Sequence, residues 1–294
     1  MMTPVLRGTM TMSDFIQALS DPDIPFLRYA FIAGALASVS FGIIGTYVVT
    51  RRISYIAGAI SHCALGGIGA ALYFRETAGL QWLNPIHGAV VSALAAALII
   101  GLVSLYARQR EDTVIGALWA TGMAVGLLFI ARTPGYIDPM SYLFGNILMI
   151  SKNDLWLIAG LDILVAGLGL FFYHKLLAVC FDEEFARLRG VRVEFYYLML
   201  LCLTALTVVL LVTVVGIVMV IALLTLPAAV ASQFSHRLWH TMGLSVFFCL
   251  VFNSVGLGIS YSYDLPSGPT IIVLAGVVYL AAAILCRLFR KSSG

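Results

Sequence analysis

Charge is scarce in this 294-residue chain: Asp, Glu, Lys and Arg make up 11% of it, against about 25% in a soluble domain. Cysteine is sparse and unpaired in pattern. Cys63, Cys202, Cys249 and Cys286 fall in apolar runs, Cys180 opens a charged loop, and there is no CxxC. An odd, scattered set of five argues against a disulfide framework or a thiolate metal site. No Gly-x-x-x-x-Gly-Lys-Ser/Thr loop is present, so the chain is not expected to hydrolyse ATP itself. His-Glu-x-x-His and Gly-x-Ser-x-Gly are missing too, and the five histidines are dispersed. Hydrolase and metalloprotease chemistry has no constellation to rest on.

What the chain does have is apolar surface. It is 61% hydrophobic, with a mean hydropathy of +1.01. No water-soluble core of this length hides so much. The expected class is all-α, a polytopic transmembrane bundle, which excludes secreted disulfide modules, nucleic-acid binders and ordinary cytosolic enzymes.

A spanning helix needs about 20 apolar residues. Runs of that kind occur at 26–50, 57–74, 86–107, 113–131, 154–173, 195–215, 217–234, 241–261 and 269–288. That makes nine spans, with eight or ten as alternatives. The piece 142–150 is too short to cross and reads as a half-helix or re-entrant segment. The run 195–234 is nearly unbroken, yet as one helix it would be roughly 60 Å long. It must turn or break, with Gly216 the expected pivot and Pro227 freeing a carbonyl further on. Residues 1–25, with Asp14, Asp21, Pro22, Asp23 and Pro25, lack a signal-like apolar stretch. They read as an extramembrane arm with a short surface helix around 15–19. Residues 26–288 then form a single membrane domain, followed by a tail at 289–294.

Basic residues set the orientation. Arg51 and Arg52 follow the first span, Arg108 and Arg110 the third, and Lys175, Arg187, Arg189 and Arg192 the fifth. Arg237 follows the seventh, and Arg287, Arg290 and Lys291 the ninth; alternate loops carry only Arg75, Arg132 and Lys152. The N-terminus is therefore expected outside and the C-terminus in the cytoplasm. The one substantial cytoplasmic loop, 174–194, contains Phe181-Asp-Glu-Glu-Phe-Ala-Arg-Leu-Arg-Gly190. Asp182 can cap a helix there, with Glu183 and Glu184 in the first turn, Arg187 and Arg189 in the last, and Gly190 as the stop. Phe181, Phe185 and Leu188 would share one face. This short helix either lies on lipid headgroups or docks a cytoplasmic partner. Its acids suit the second reading, since an anionic leaflet repels them.

Several motifs, in order, resemble the membrane permease of metal-type (zinc, manganese or iron) ATP-binding-cassette importers. They are Arg51-Arg52-Ile53-Ser54-Tyr55, Ile60-Ser61-His62-Cys63-Ala64-Leu65, Tyr142-Leu143-Phe144-Gly145-Asn146-Ile147-Leu148, Phe181 to Gly190, Leu224-Thr225-Leu226-Pro227-Ala228-Ala229, and Asp264-Leu265-Pro266-Ser267-Gly268-Pro269-Thr270. The resemblance covers nearly the whole chain from Phe26. It implies a multi-pass protein of the bacterial inner or plasma membrane, working as a pair of permeases. Two cytoplasmic ATPases would dock on a coupling helix, at Phe181, Glu183, Glu184, Phe185, Arg187, Leu188 and Gly190. A metal-loaded binding protein would dock outside, and the metal ion would be substrate rather than a resident cofactor. The other readings are a self-contained proton-coupled secondary transporter, using Asp162 or His62, and an integral membrane enzyme.

Ionisable groups inside spans are costly, about 2.5–3.5 kcal/mol on insertion scales. His62 sits between Gly58 and Gly66, small residues that let a helix or a cavity come close. By itself it reads as a histidine bonded to a carbonyl or as a ligand for a borderline metal. The resemblance points to the second, since these permeases carry a metal-facing histidine here. Many of them also carry an acid four residues earlier, in Gly-Asp-Ala-Leu-Ser-His, where this chain has Gly58. Either other residues complete the site or the cargo differs, and an acid restored at 58 would add an oxygen ligand. Asp162 lines a path or makes a structural bond, with Asn253 a potential partner. His87, Asp138 and Asp264 are expected at the external mouth, Asp264 opening a Pro-Ser-Gly-Pro turn where an acid often caps.

Overall fold

The structure, a computed structural model, describes residues 17–19, 25–106, 111–135, 139–145 and 152–292. Most of the N-terminal arm, Asp138, residues 146–150 and the last two residues lie outside them. Every regular element among the described residues is a helix. In order these are α1 (Pro25–Thr50), α2 (Ser54–Thr77), α3 (Pro85–Tyr106), α4 (Glu111–Arg132), α5 (Pro139–Phe144) and α6 (Lys152–Phe171). There follow α7 (Tyr173–Phe181), α8 (Glu183–Leu188), α9 (Val193–Val215), α10 (Ile217–Phe234), α11 (Leu238–Tyr263) and α12 (Ser267–Ser292). Eight of them, α1–α4, α6 and α10–α12, are long and apolar enough to cross a membrane. The 23 residues of α9, at about 1.5 Å each, would also reach across.

Lipid offers no hydrogen bonds, so backbone groups must be satisfied within each segment. The hydroxyls of these helices follow the same rule. Ser38 donates to the Gly34 carbonyl, Thr46 to Gly42, Ser61 to Ala57, Thr204 to Leu200, Thr207 to Leu203 and Thr225 to Ile221, all one turn back.

α1 is the central helix. Leu27, Ala30, Ala33, Ala37, Phe41, Ile44 and Val48 recur at helical spacing and are fully buried. Two polar bonds fix α6 against it. The Ser40 N–H donates to Asp162 Oδ1 at 3.1 Å, and the Tyr47 hydroxyl to the Gly169 carbonyl at 2.9 Å. Both pairs are 122 residues apart, so the two helices run parallel. α11 runs the other way, with Asn253 against Gly34 and Val246 against Gly42. Asn253 is not the partner of Asp162: its amide donates to the Gly34 carbonyl at 3.2 Å and to Ser38 Oγ at 3.0 Å. Ser38 and Ser40 are two residues, or about 200°, apart around the helix. α11 and α6 thus approach α1 from different sides.

A second group centres on α2. Gly67 and Gly88 meet backbone to backbone, which makes α2 and α3 antiparallel neighbours with no room for a Cβ at either position. α4 runs parallel to α2: Cys63 Sγ donates to the Leu118 carbonyl at 3.3 Å, Gly69 abuts Gly126, and the Tyr73 and Phe129 rings lie 5.5 Å apart. α9 opposes α3, with Gly101 against Leu198 and Leu201 and Tyr197 donating to Ser104 at 3.2 Å.

α9 and α10 are joined by Gly216 alone, at φ +84°. A side chain there would strike the backbone of Phe144 and Gly145 at the end of α5. α10 runs through Pro227 without ending. Near the proline, the Leu224 carbonyl rests against Gly45 of α1, close enough that a Cβ on Gly45 would collide with it. The stretch expected as one loop from 174 to 194 begins as helix α7, because Leu176, Val179 and Cys180 form a buried face.

Candidate functional site

At the basic end of α1, Arg51 ties three elements together. Its guanidinium pairs with Glu183 of α8, donates to the Val179 carbonyl of α7 at 3.0 Å, and lies 5.3 Å from the centre of the Tyr197 ring of α9. Asp182 caps α8 by accepting the Phe185 N–H at 2.9 Å. The far end closes with a Schellman pair: Gly190, at φ +76°, donates to the Arg187 carbonyl, and Val191 to that of Ala186. Arg187 pairs with Glu194 at 2.8 Å. Ala186 is buried and seats the helix on the bundle. The opposite edge is bare: Phe181 is 65% exposed, Phe185 51% and Leu188 88%. Glu184 is exposed beside them. The helix is thus rigidly mounted and presents an apolar edge to whatever lies beyond.

The other locus is His62, eight residues and about 12 Å up α2 from Ser54. The glycine stripe around it admits a helix rather than a cavity. α4 lies against it, and the His62 imidazole stacks on the Trp119 indole with centroids 4.7 Å apart and planes at 27°. Tyr55 meets the indole at 5.3 Å. The Nδ1 atom of His62 is buried and has no hydrogen-bond partner, so the simple explanation of a carbonyl-bonded histidine does not account for that nitrogen. A Cβ at Gly58 would overlap the six-membered ring of Trp119. An acid at 58 would therefore have to displace the indole, which already fills that space.

The remaining candidates stand apart from His62. Asp162 is 6% exposed and is held by Ser40. Asp264 is the exposed C-cap of α11, in the left-handed region at φ 54°, with its N–H on the Ser260 carbonyl. His87 is exposed in the first turn of α3. Among the described residues, no group of three or more His, Cys, Asp or Glu could hold a metal ion. Trp119 and the Arg51 clamp had not been expected. The sequence did carry one signal for the first: Trp82, Trp156 and Trp239 fall between helices or near helix starts, at interfacial positions, whereas Trp119 lies well inside α4.

The helices define a polytopic membrane protein, and its relatives make it a transport subunit. Residues 23–286 match the ABC 3 transport family, and the chain belongs to it. A probable metal transport system membrane protein of Chlamydia pneumoniae is 39% identical over 264 residues, covering 90% of each chain. The manganese transport system membrane protein MntC of Listeria innocua is 33% identical, covering 87% of this chain and 89% of its own. Among solved structures, PsaBC from Streptococcus pneumoniae in complex with Fab superposes with a TM-score of 0.82 at 29% identity, over 92% of this chain and 95% of that one. The protein is a multi-pass permease of the bacterial cell membrane and not itself an enzyme, ATP hydrolysis falling to a separate subunit.

Proposed function

We propose that this chain is the permease of an importer that carries a divalent metal ion, zinc, manganese or iron, into the cytoplasm. Two copies would pair, with ATPases docked below and an extracytoplasmic metal-binding protein above. The observation that carries the reading is the mount of α8: a capped, clamped helix whose Phe181, Phe185 and Leu188 face outward. Relatives named for metal and manganese transport support the cargo, and the unpartnered His62 nitrogen supports His62 as its contact. Asp264 would guide cations at the outer mouth. Asp162, buried and bonded to Ser40, reads as part of the frame, which weighs against a proton-coupled carrier built on it.

The test is uptake of radioactive manganese and zinc by cells expressing the chain with and without its ATPase. Uptake only with the ATPase is expected; uptake by the chain alone, driven by a pH gradient, overturns the reading.

The alternating helix directions and the basic loops together support an external N-terminus. In intact cells an impermeant thiol reagent should label Gln81→Cys, which lies in the exposed loop after α2, and spare Gln109→Cys. Labelling at 109 reverses the orientation. Burial pushes the Cys180 thiol up to about 12, with the Arg51 guanidinium pulling it partly back. That thiol stays protonated and inert at neutral pH, so the half-buried Cys202 and Cys286 are the background thiols to replace first.

A further inference from the structure

We propose that Trp119 controls access to His62: its indole is a movable cover that closes the cation path at that histidine. The idea takes the metal-import reading only for the identity of the cargo.

Three observations meet at this residue. The indole lies flat on the imidazole, 4.7 Å between centroids. It fills the space that any side chain at Gly58, one turn before His62, would need. The Nδ1 of the partly buried His62 has no hydrogen-bond partner and is itself buried, in a segment where an unsatisfied polar atom is costly. A nitrogen left in that condition is explained by a transient partner, and a cation is the partner an imidazole lone pair takes. For a cation to arrive, something must move. The neighbouring Gly66, Gly69, Gly122 and Gly126 lock α2 to α4 through backbone contacts, so the helices cannot easily part at this level. The indole, by contrast, is a single side chain, in ring contact with His62 and with the half-exposed Tyr55. Stacking contacts of this kind are weak, and a side-chain rotation can exchange them for cation binding.

The cover also fixes what kind of site opens. Since position 58 offers no ligand, an arriving cation meets imidazole and an aromatic face. Cations take both readily, and neither adds the fixed negative charge that a carboxylate would.

The test is the accessibility of the covered position, without any metal. In a cysteine-free background of the permease–ATPase complex in proteoliposomes, His62→Cys should react slowly with a charged thiol reagent, because the indole still occupies the space over Gly58. In His62→Cys with Trp119→Ala the rate should rise at least about tenfold, with copurification of the ATPase as the check on assembly. If the alanine variant fails to assemble, Trp119→Leu, which fills the seam without a planar face, carries the same expectation. Equal labelling rates with and without Trp119 overturn the proposal. Because no metal enters the assay, the failure of every tested metal to be transported would sink the importer reading and leave the labelling result standing.

Discussion

Phe185→Asp should leave the permease in the membrane and abolish its hold on the ATPase. The cap of α8 uses the main-chain N–H of residue 185, which the substitution keeps. The helix therefore persists, and the charge does its damage at the docking surface. An uncompensated buried charge costs about 3–5 kcal/mol, which weakens the complex roughly a hundredfold or more. Copurification of the ATPase should fall to background, and metal uptake with it. Normal copurification would show that α8 lies on lipid or faces water instead.

His62→Ala should stop uptake while assembly continues. Trp119 keeps its ring contact with Tyr55 when the imidazole is lost, so the α2–α4 seam stays intact. Backbone contacts at Gly66, Gly69, Gly122 and Gly126 hold that seam. If the cargo meets this imidazole as proposed, removing it should cost at least as much as removing a ligand's supporting groups, which typically gives about 10–100-fold losses. Transport rates for manganese and zinc are the measurement, with ATPase copurification as the control. Wild-type kinetics in a well-expressed variant would make His62 a packing residue.

The spans were legible because lipid imposes one rule on every crossing segment: long, apolar and helical. The short helix at 182–190 was legible for a different reason. Asp182, the paired acids and Gly190 each carry a local signal that needs no tertiary partner. What escaped was whatever depends on which helices touch. Gly58 reads the same in sequence whether a cavity, a carboxylate or an indole fills its empty side, and only the register of α2 against α4 decides for Trp119. Asp162 looked available to Asn253 because both are polar groups in spans, yet each bonds a different side of α1. Arg51 was legible as a topogenic charge and invisible as a clamp, since Glu183, Val179 and Tyr197 all lie more than a hundred residues away in sequence.

The polar contacts of α1 have a mechanical consequence. From Gly34 to Arg51, about 26 Å of helix, α1 is pinned at successive depths by Asn253, Asp162, the Gly169 carbonyl and Glu183. Apolar surfaces can slide past one another, whereas directional bonds resist shear until they break. α1 is therefore built as a strut: a push on α8, if a partner delivers one as proposed, would enter it through Arg51 and reach the levels pinned to α6 and α11. Slip is left to the seams without such pins.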